Sequence, residues 1–137
     1  MSFIKIWLHV IWSTKNREKT ITKELKPQLL KHITANAREK GIHIDTMNCT
    51  SDHIHILLQF SPKQSLSQMM QLLKGESSFW VNKNKLANNF EWQDDYFAVS
   101  VSESQVDKVR EYINNQEEHH KKKTFMQEYE NFMKKFG

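Results

Sequence analysis

His53 and His55 stand two residues apart in the run His53-Ile-His-Ile-Leu-Leu-Gln-Phe60. In an extended strand, residues spaced by two leave the same face, so both imidazoles point one way while Ile54 and Ile56 point the other. Two imidazoles on one face suit a single cation; they equally suit solvated positions opposite a buried face. Downstream, Tyr112-Ile-Asn-Asn-Gln116 separates a phenol from an amide by four residues. On a helix that spacing places them about 40° apart on adjoining turns. A tyrosine at such a rim is also a common half-buried packing residue. Taken as a set, the four side chains read as a phosphodiester chemistry. A cation held by imidazole nitrogen and amide oxygen would polarise the phosphate, and a phenolate would attack phosphorus. A neutral amide in place of a carboxylate leaves the ion its full charge. Ligation by nitrogen and oxygen without thiolate points to Mg²⁺ or Mn²⁺, although zinc accepts the same donors.

Several elements must position these groups. Phe3 to Trp12 is β-branched and aromatic on both alternating sets, which predicts a central strand covered on both faces, with a polar exit over Ser13 to Lys19. Leu25, Leu29, His32, Ile33 and Ala37 recur at helical spacing, and Gly41 stops that helix. Ile42–Thr50 and His53–Phe60, joined by Ser51-Asp52, predict a hairpin ended by Pro62. Ser65 caps a second helix whose Leu66, Met69, Met70, Leu73, Ser77 and Trp80 share a face, with Gly75 offering close backbone approach. A loop over Asn82 to Asn89 leads to a fourth strand at Tyr96–Val101. A helix from about Gln105 to His120 follows, with Val106, Val109 and Ile113 as its apolar line, and then an amphipathic segment, Thr124–Lys135. The order βαββαβ predicts an α+β fold: a ferredoxin-like split βαβ antiparallel sheet with extra C-terminal helices, one of them carrying Tyr112.

A length of 137 residues allows one domain, 1–137, and leaves no room for a separate cofactor domain. With 38% hydrophobic residues and only three glycines and two prolines, the composition excludes a disordered or repeat protein. The single cysteine, Cys49, excludes an intrachain disulfide and a cysteine zinc cage. No apolar run approaches the roughly 20 residues of a membrane span, and no signal-peptide pattern opens the chain, so a cytoplasmic setting is expected. The formal charge of +4 suits a polyanionic partner and also an ordinary lysine-rich surface.

Five segments together resemble a known family: His9-Val-Ile-Trp-Ser-Thr-Lys-Asn-Arg17, Asp52-His-Ile-His-Ile-Leu57, Leu73-Lys-Gly-Glu-Ser-Ser78, Trp92-Gln-Asp-Asp-Tyr96 and Val109-Arg-Glu-Tyr-Ile-Asn-Asn-Gln-Glu-Glu-His-His120. In this order they are similar to the single-tyrosine HUH transposases of the insertion-sequence 200/605 type, including those associated with repetitive extragenic palindromes. The resemblance implies that His53, His55 and Gln116 ligate the metal and that Tyr112 is the nucleophile. It further implies cutting and rejoining of single-stranded DNA carrying hairpins, through a 5′-phosphotyrosine. It implies a homodimer, commonly with the tyrosine helix of one subunit reaching the histidines of the other. Lys15, Asn16, Arg17, Lys74 and the run Lys121, Lys122 and Lys123 are the candidate DNA contacts, although each is also an ordinary surface residue.

Two other classes compete. A domesticated relative would keep the fold and the hairpin preference without cleavage; retention of His53, His55, Tyr112 and Gln116 argues against it. A metal-independent phosphoesterase needs paired His-x-Thr/Ser motifs, and the one example, His32-Ile-Thr34, has no mate and falls in a predicted helix. Adjacent His119 and His120 would point about 100° apart on a helix and belong to the basic surface rather than to one ion.

Overall fold

The structure is a computed structural model that describes residues 3–116 together with 127, 130 and 134. Its elements are β1 (Trp7–Ser13), α1 (Leu25–Glu39), β2 (His43–Cys49), β3 (His53–Gln59), α2 (Leu66–Lys83), β4 (Phe97–Val101) and α3 (Val106–Asn114), with short 3₁₀ turns at Lys15–Arg17 and Glu103–Gln105. The four strands form one antiparallel sheet in the order β2-β3-β1-β4. β1 is therefore interior, as its two-sided apolar pattern requires.

The first strand starts later than its composition suggests. Trp7 pairs with Gln59 on one side and Val101 on the other, the last residues of β3 and β4. Beyond them one backbone bond, from the Phe60 N–H to the Ile6 carbonyl at 2.7 Å, continues the pairing, and Phe3, Ile4 and Ile6 are exposed. Local chemistry bounds α1 and opens α2. The Thr22 hydroxyl accepts from the Leu25 amide to open α1, and Gly41, at φ +74°, takes the left-handed conformation that ends it. Ser65 and Gln68 form a reciprocal capping box at the start of α2. At Gly75 an added Cβ would meet nothing within 4 Å, so the expected close approach of another backbone does not occur.

α1 and α2 cover one face of the sheet. Val10, Trp12, Ile54, Ile56 and Leu58 pack there against Leu29, Ile33, Met69, Met70 and Leu73. α3 covers the other face, where Val106, Val109 and Ile113 meet Trp7, Leu57 and Val101. His32, expected on the apolar line of α1, instead stacks on Trp80 with ring centroids 4.1 Å apart and bonds Glu76 at 2.7 Å. The segment 117–126, which holds His119, His120 and the three lysines from 121, lies outside the described residues; of the predicted last amphipathic segment only Gln127, Glu130 and Lys134 are described, all helical.

Candidate active site

β3 alternates as its sequence demands: Ile54 and Ile56 enter the α1/α2 core, and His53 and His55 leave on the α3 face. Both histidines are nonetheless fully buried, so they are not the solvated positions that alternation alone allows. Their ring centroids are 5.2 Å apart. α3 lies over them and brings the Tyr112 ring to 5.7 Å from that of His55, in an edge-on arrangement. The helix ends at Asn114, and after a turn at Asn115 the chain is helical again at Gln116. That break departs from the single continuous helix expected, and Asn48 accounts for it: its amide donates to the carbonyls of Ile113 and Asn114 at 3.0 and 3.4 Å. Gln116, also fully buried, then sets its amide nitrogen 3.3 Å from Nε2 of His53. All four side chains thus converge within one chain.

Each ring is oriented from behind. Nδ1 of His53 lies 2.7 Å from the Asp52 carboxylate and 2.8 Å from the Thr50 hydroxyl, which itself lies 3.2 Å from the same Asp52 oxygen. A carboxylate can only accept, so Nδ1 of His53 carries the proton and Nε2 turns its lone pair toward Gln116. Nδ1 of His55 lies 2.9 Å from Nε2 of His9, a third buried imidazole from β1. Burial alone pushes the pKa of His9 down to about 3, so its ring is neutral.

The donor set fits a divalent cation. His53 offers a lone pair at Nε2, the His55 ring has its Nδ1 engaged by His9, and the Gln116 amide carries an oxygen on the same planar group that now faces His53. A carboxylate behind a ligating imidazole is the usual support for such a site. Among the described residues no three His, Cys, Asp or Glu side chains form a metal-holding group, so the amide is the third donor this reading requires.

α3 is held to the sheet at three levels. At its approach Glu103 accepts from Trp7 Nε1 at 2.6 Å and from Lys5 at 3.0 Å. In its middle Arg110 donates from Nε and one terminal nitrogen to the two oxygens of Asp45 on β2, both at 2.8 Å. This two-pronged geometry holds the Asp45 carboxyl below the usual carboxylate range. At its end stands the Asn48 clamp. Sequence reasoning missed His9, Asn48, Asp45 and Arg110 as parts of the site. His9 alone left a signal, as a polar interruption of an apolar strand.

The basic candidates divide. Lys15, Asn16 and Arg17 form the turn after β1, and Ser13 pairs with His53, so this turn sits at the histidine end of the sheet. Backbone bonds tie it down, Thr14 N–H to the Asp52 carbonyl at 2.8 Å and Ile21 N–H to that of Ser51 at 3.0 Å. Lys15 is exposed and pairs with Glu91 at 3.1 Å. Lys74 lies instead on α2, on the opposite face from the histidines. Its ammonium donates to the carbonyls of Asp94 and Asp95 at 3.0 and 3.1 Å and lies 5.7 Å from the centroid of the Tyr96 ring. It borders a cleft of about 420 Å³ lined by Gln71, Trp92 and Tyr96. Among the described residues no helix is long and apolar enough to cross a membrane.

Comparison with known proteins bears on the same span. Residues 2–116 match a family model described as "Transposase IS200 like". The ISDra2 transposase TnpA of Deinococcus radiodurans is 29% identical over 114 residues, covering 79% of this chain and 81% of that protein. The transposase of insertion sequence element IS200 from Salmonella typhimurium is 29% identical over 119 residues, covering 82% and 78%. Among solved structures, a candidate transposase from Deinococcus radiodurans superposes with a TM-score of 0.68 at 24% identity, covering 84% of this chain and 93% of its own. A REP-associated tyrosine transposase bound to a REP hairpin gives 0.65 at 17% identity, covering 88% and 72%. These two structural likenesses show the fold.

Proposed function

The chain belongs to the IS200-like transposases, a family of DNA-processing enzymes, and on that premise we propose that it cuts and rejoins single-stranded DNA at element ends or palindromic repeats through a phosphotyrosine at residue 112. One observation carries this reading: the half-buried Tyr112 ring stands 5.7 Å from that of His55, on the same face of the sheet where the buried Gln116 amide lies 3.3 Å from His53.

His53, His55 and Gln116 would hold a divalent cation, Mg²⁺ or Mn²⁺ by donor type, and the bound ion would withdraw charge from the scissile phosphate. Tyr112 supplies the nucleophile. Its oxygen forms a bond to phosphorus as the bond from phosphorus to the 3′ oxygen breaks; the phenol loses its proton and the leaving oxygen gains one. The 5′ phosphate stays on the enzyme, so the bond energy is kept for rejoining when a 3′ hydroxyl attacks the phosphotyrosine. Asp52 and His9 keep the two imidazoles in place from behind. Arg110 and Asn48 keep the tyrosine helix over them.

The turn at Lys15–Arg17 is the phosphate-binding candidate that the fold sets beside the site, with Lys121, Lys122 and Lys123 as candidates from sequence alone. Lys74, engaged by two carbonyls on the far face, is better suited to shaping the cleft there than to holding a phosphate at the reacting bond. A hairpin substrate is supported by the structural neighbour that binds a REP hairpin. A homodimer belongs to the same reading. Because Tyr112 already rests beside the histidines of its own chain, sharing of sites between subunits would require α3 to change places. The non-cleaving hairpin binder is the second reading, and convergence of Tyr112 with His53, His55 and Gln116 disfavours it.

The test is to incubate the protein with Mg²⁺ and single-stranded DNA from the flanks of its own gene, and to run a denaturing gel. A covalent protein–DNA band is expected, and Tyr112→Phe should lose it while still retaining the DNA in a native gel. An adduct that persists in Tyr112→Phe rejects the assignment. Binding with no adduct in either protein would favour the non-cleaving reading.

A further inference from the structure

His9 belongs to β1 and lies diagonally across the ladder from His55, because His9 pairs with Leu57 and His55 with Ile11. It is fully buried, in a strand whose other side chains up to Trp12 are apolar. Burying an imidazole costs free energy unless its nitrogens are engaged. Its Nε2 and Nδ1 of His55 face each other at 2.9 Å, a distance at which one proton lies between the two nitrogens. Whichever ring carries that proton determines what the other can do. If His55 donates from Nδ1, its Nε2 is the nitrogen that keeps a lone pair for a cation. If His9 donates, the proton of a neutral His55 moves to Nε2 and that nitrogen cannot ligate.

We propose that His9 is a positioning residue of the site: Nε2 of His9 accepts from Nδ1–H of His55 and thereby commits Nε2 of His55 to metal ligation. This rests on the reading of His53 and His55 as metal ligands. The two ligands are then supported differently, His53 by the Asp52 carboxylate and His55 by a neutral imidazole. The carboxylate brings a compensating negative charge, whereas the imidazole brings only a fixed acceptor. His9 therefore sets tautomer and ring orientation without reducing the charge the cation presents to a phosphate.

Two measurements on the full chain test this. The first needs no variant: nitrogen-15 NMR of the imidazoles in the metal-free protein should show His55 protonated at Nδ1 and His9 with an unprotonated Nε2. A proton on Nε2 of His55 would overturn the proposal. The second is Mn²⁺ binding by calorimetry. His9→Leu, which removes the acceptor, should weaken binding about 10–100-fold, the usual loss when the support behind a ligand is removed. His9→Gln, whose side-chain oxygen can accept near the position of Nε2, should recover most of that loss, although both variants remove the imidazole packing. Equal weakening in the two variants, or wild-type affinity in His9→Leu, would refute the role. His53→Ala separates this result from failure of the underlying reading: if it leaves Mn²⁺ binding unchanged, the ligand assignment falls and the role of His9 falls with it.

Discussion

One strand builds two unlike regions. On the α1/α2 face of β3, Ile54 and Ile56 sit in an apolar core with Trp12, Met69 and Leu73; on the α3 face, His53 and His55 are buried just as completely among Gln116, His9 and Asp52. The first face stabilises the fold by removing hydrocarbon from water. The second buries polar groups, which need partners, and directional bonds link His53 to Asp52, Thr50 and Gln116 and His55 to His9. Burial by itself therefore does not distinguish core from site in this molecule. What distinguishes them is whether the buried atoms need partners, and the most sharply oriented side chains are those on the polar face.

The strongest way to break this contrast is to swap small residues into each face in turn. Replacing His53 and His55 together with Ala should abolish divalent-cation-dependent cleavage while the protein remains folded. Ile56→Ala should instead destabilise the fold by about 2–5 kcal/mol, the usual cost of a large-to-small change in a core, with the site chemistry intact in the protein that stays folded. Denaturant melts and adduct formation, measured on both variants, separate the two roles. Cleavage that persists in the histidine variant, or that Ile56→Ala removes without loss of stability, would contradict the division.

A smaller effect should come from the fastening of α3. Arg110→Ala removes the two-pronged bond to Asp45 and leaves Trp7, Glu103 and Asn48 in place. Single-turnover adduct formation should fall on the order of tenfold, as expected when a nucleophile loses its fixed placement, with little change in Mn²⁺ affinity. The Asp45 carboxyl titrates below its ordinary value, so the bridge is fully present above the unfolded carboxylate pKa of about 3.9 and fades as pH falls below it. The rate deficit of Arg110→Ala relative to wild type should therefore shrink in acid. A variant that matches the wild-type rate at neutral pH would mean that the ion pair does not place Tyr112.

The contrast between faces also explains what the sequence could and could not reveal. Alternation on β3 placed the histidines on one side, and the helical lines of α1, α2 and α3 were visible in their apolar spacing, because these patterns are local. His9 could be linked to His55 only through the register between β1 and β3, and Arg110 to Asp45 only across 65 positions of chain. Neither follows from spacing within a segment. The break at Asn115 was hidden for the same reason, since the Asn48 amide that ends α3 comes from another strand. Lys74 is a candidate as a basic residue that the resemblance sets near the site, but the backbone carbonyls that engage it leave no trace in side-chain chemistry.

Central to the proposed chemistry is a cation held by β3 and Gln116 within reach of the phenol of Tyr112. Crystals of the Tyr112→Phe protein soaked in Mn²⁺ would test it most directly by anomalous diffraction. The expected peak lies between His53, His55 and Gln116, bonded to an imidazole nitrogen of each histidine and beside the ring at position 112. Manganese bound elsewhere with that position empty at saturating concentration would contradict the account.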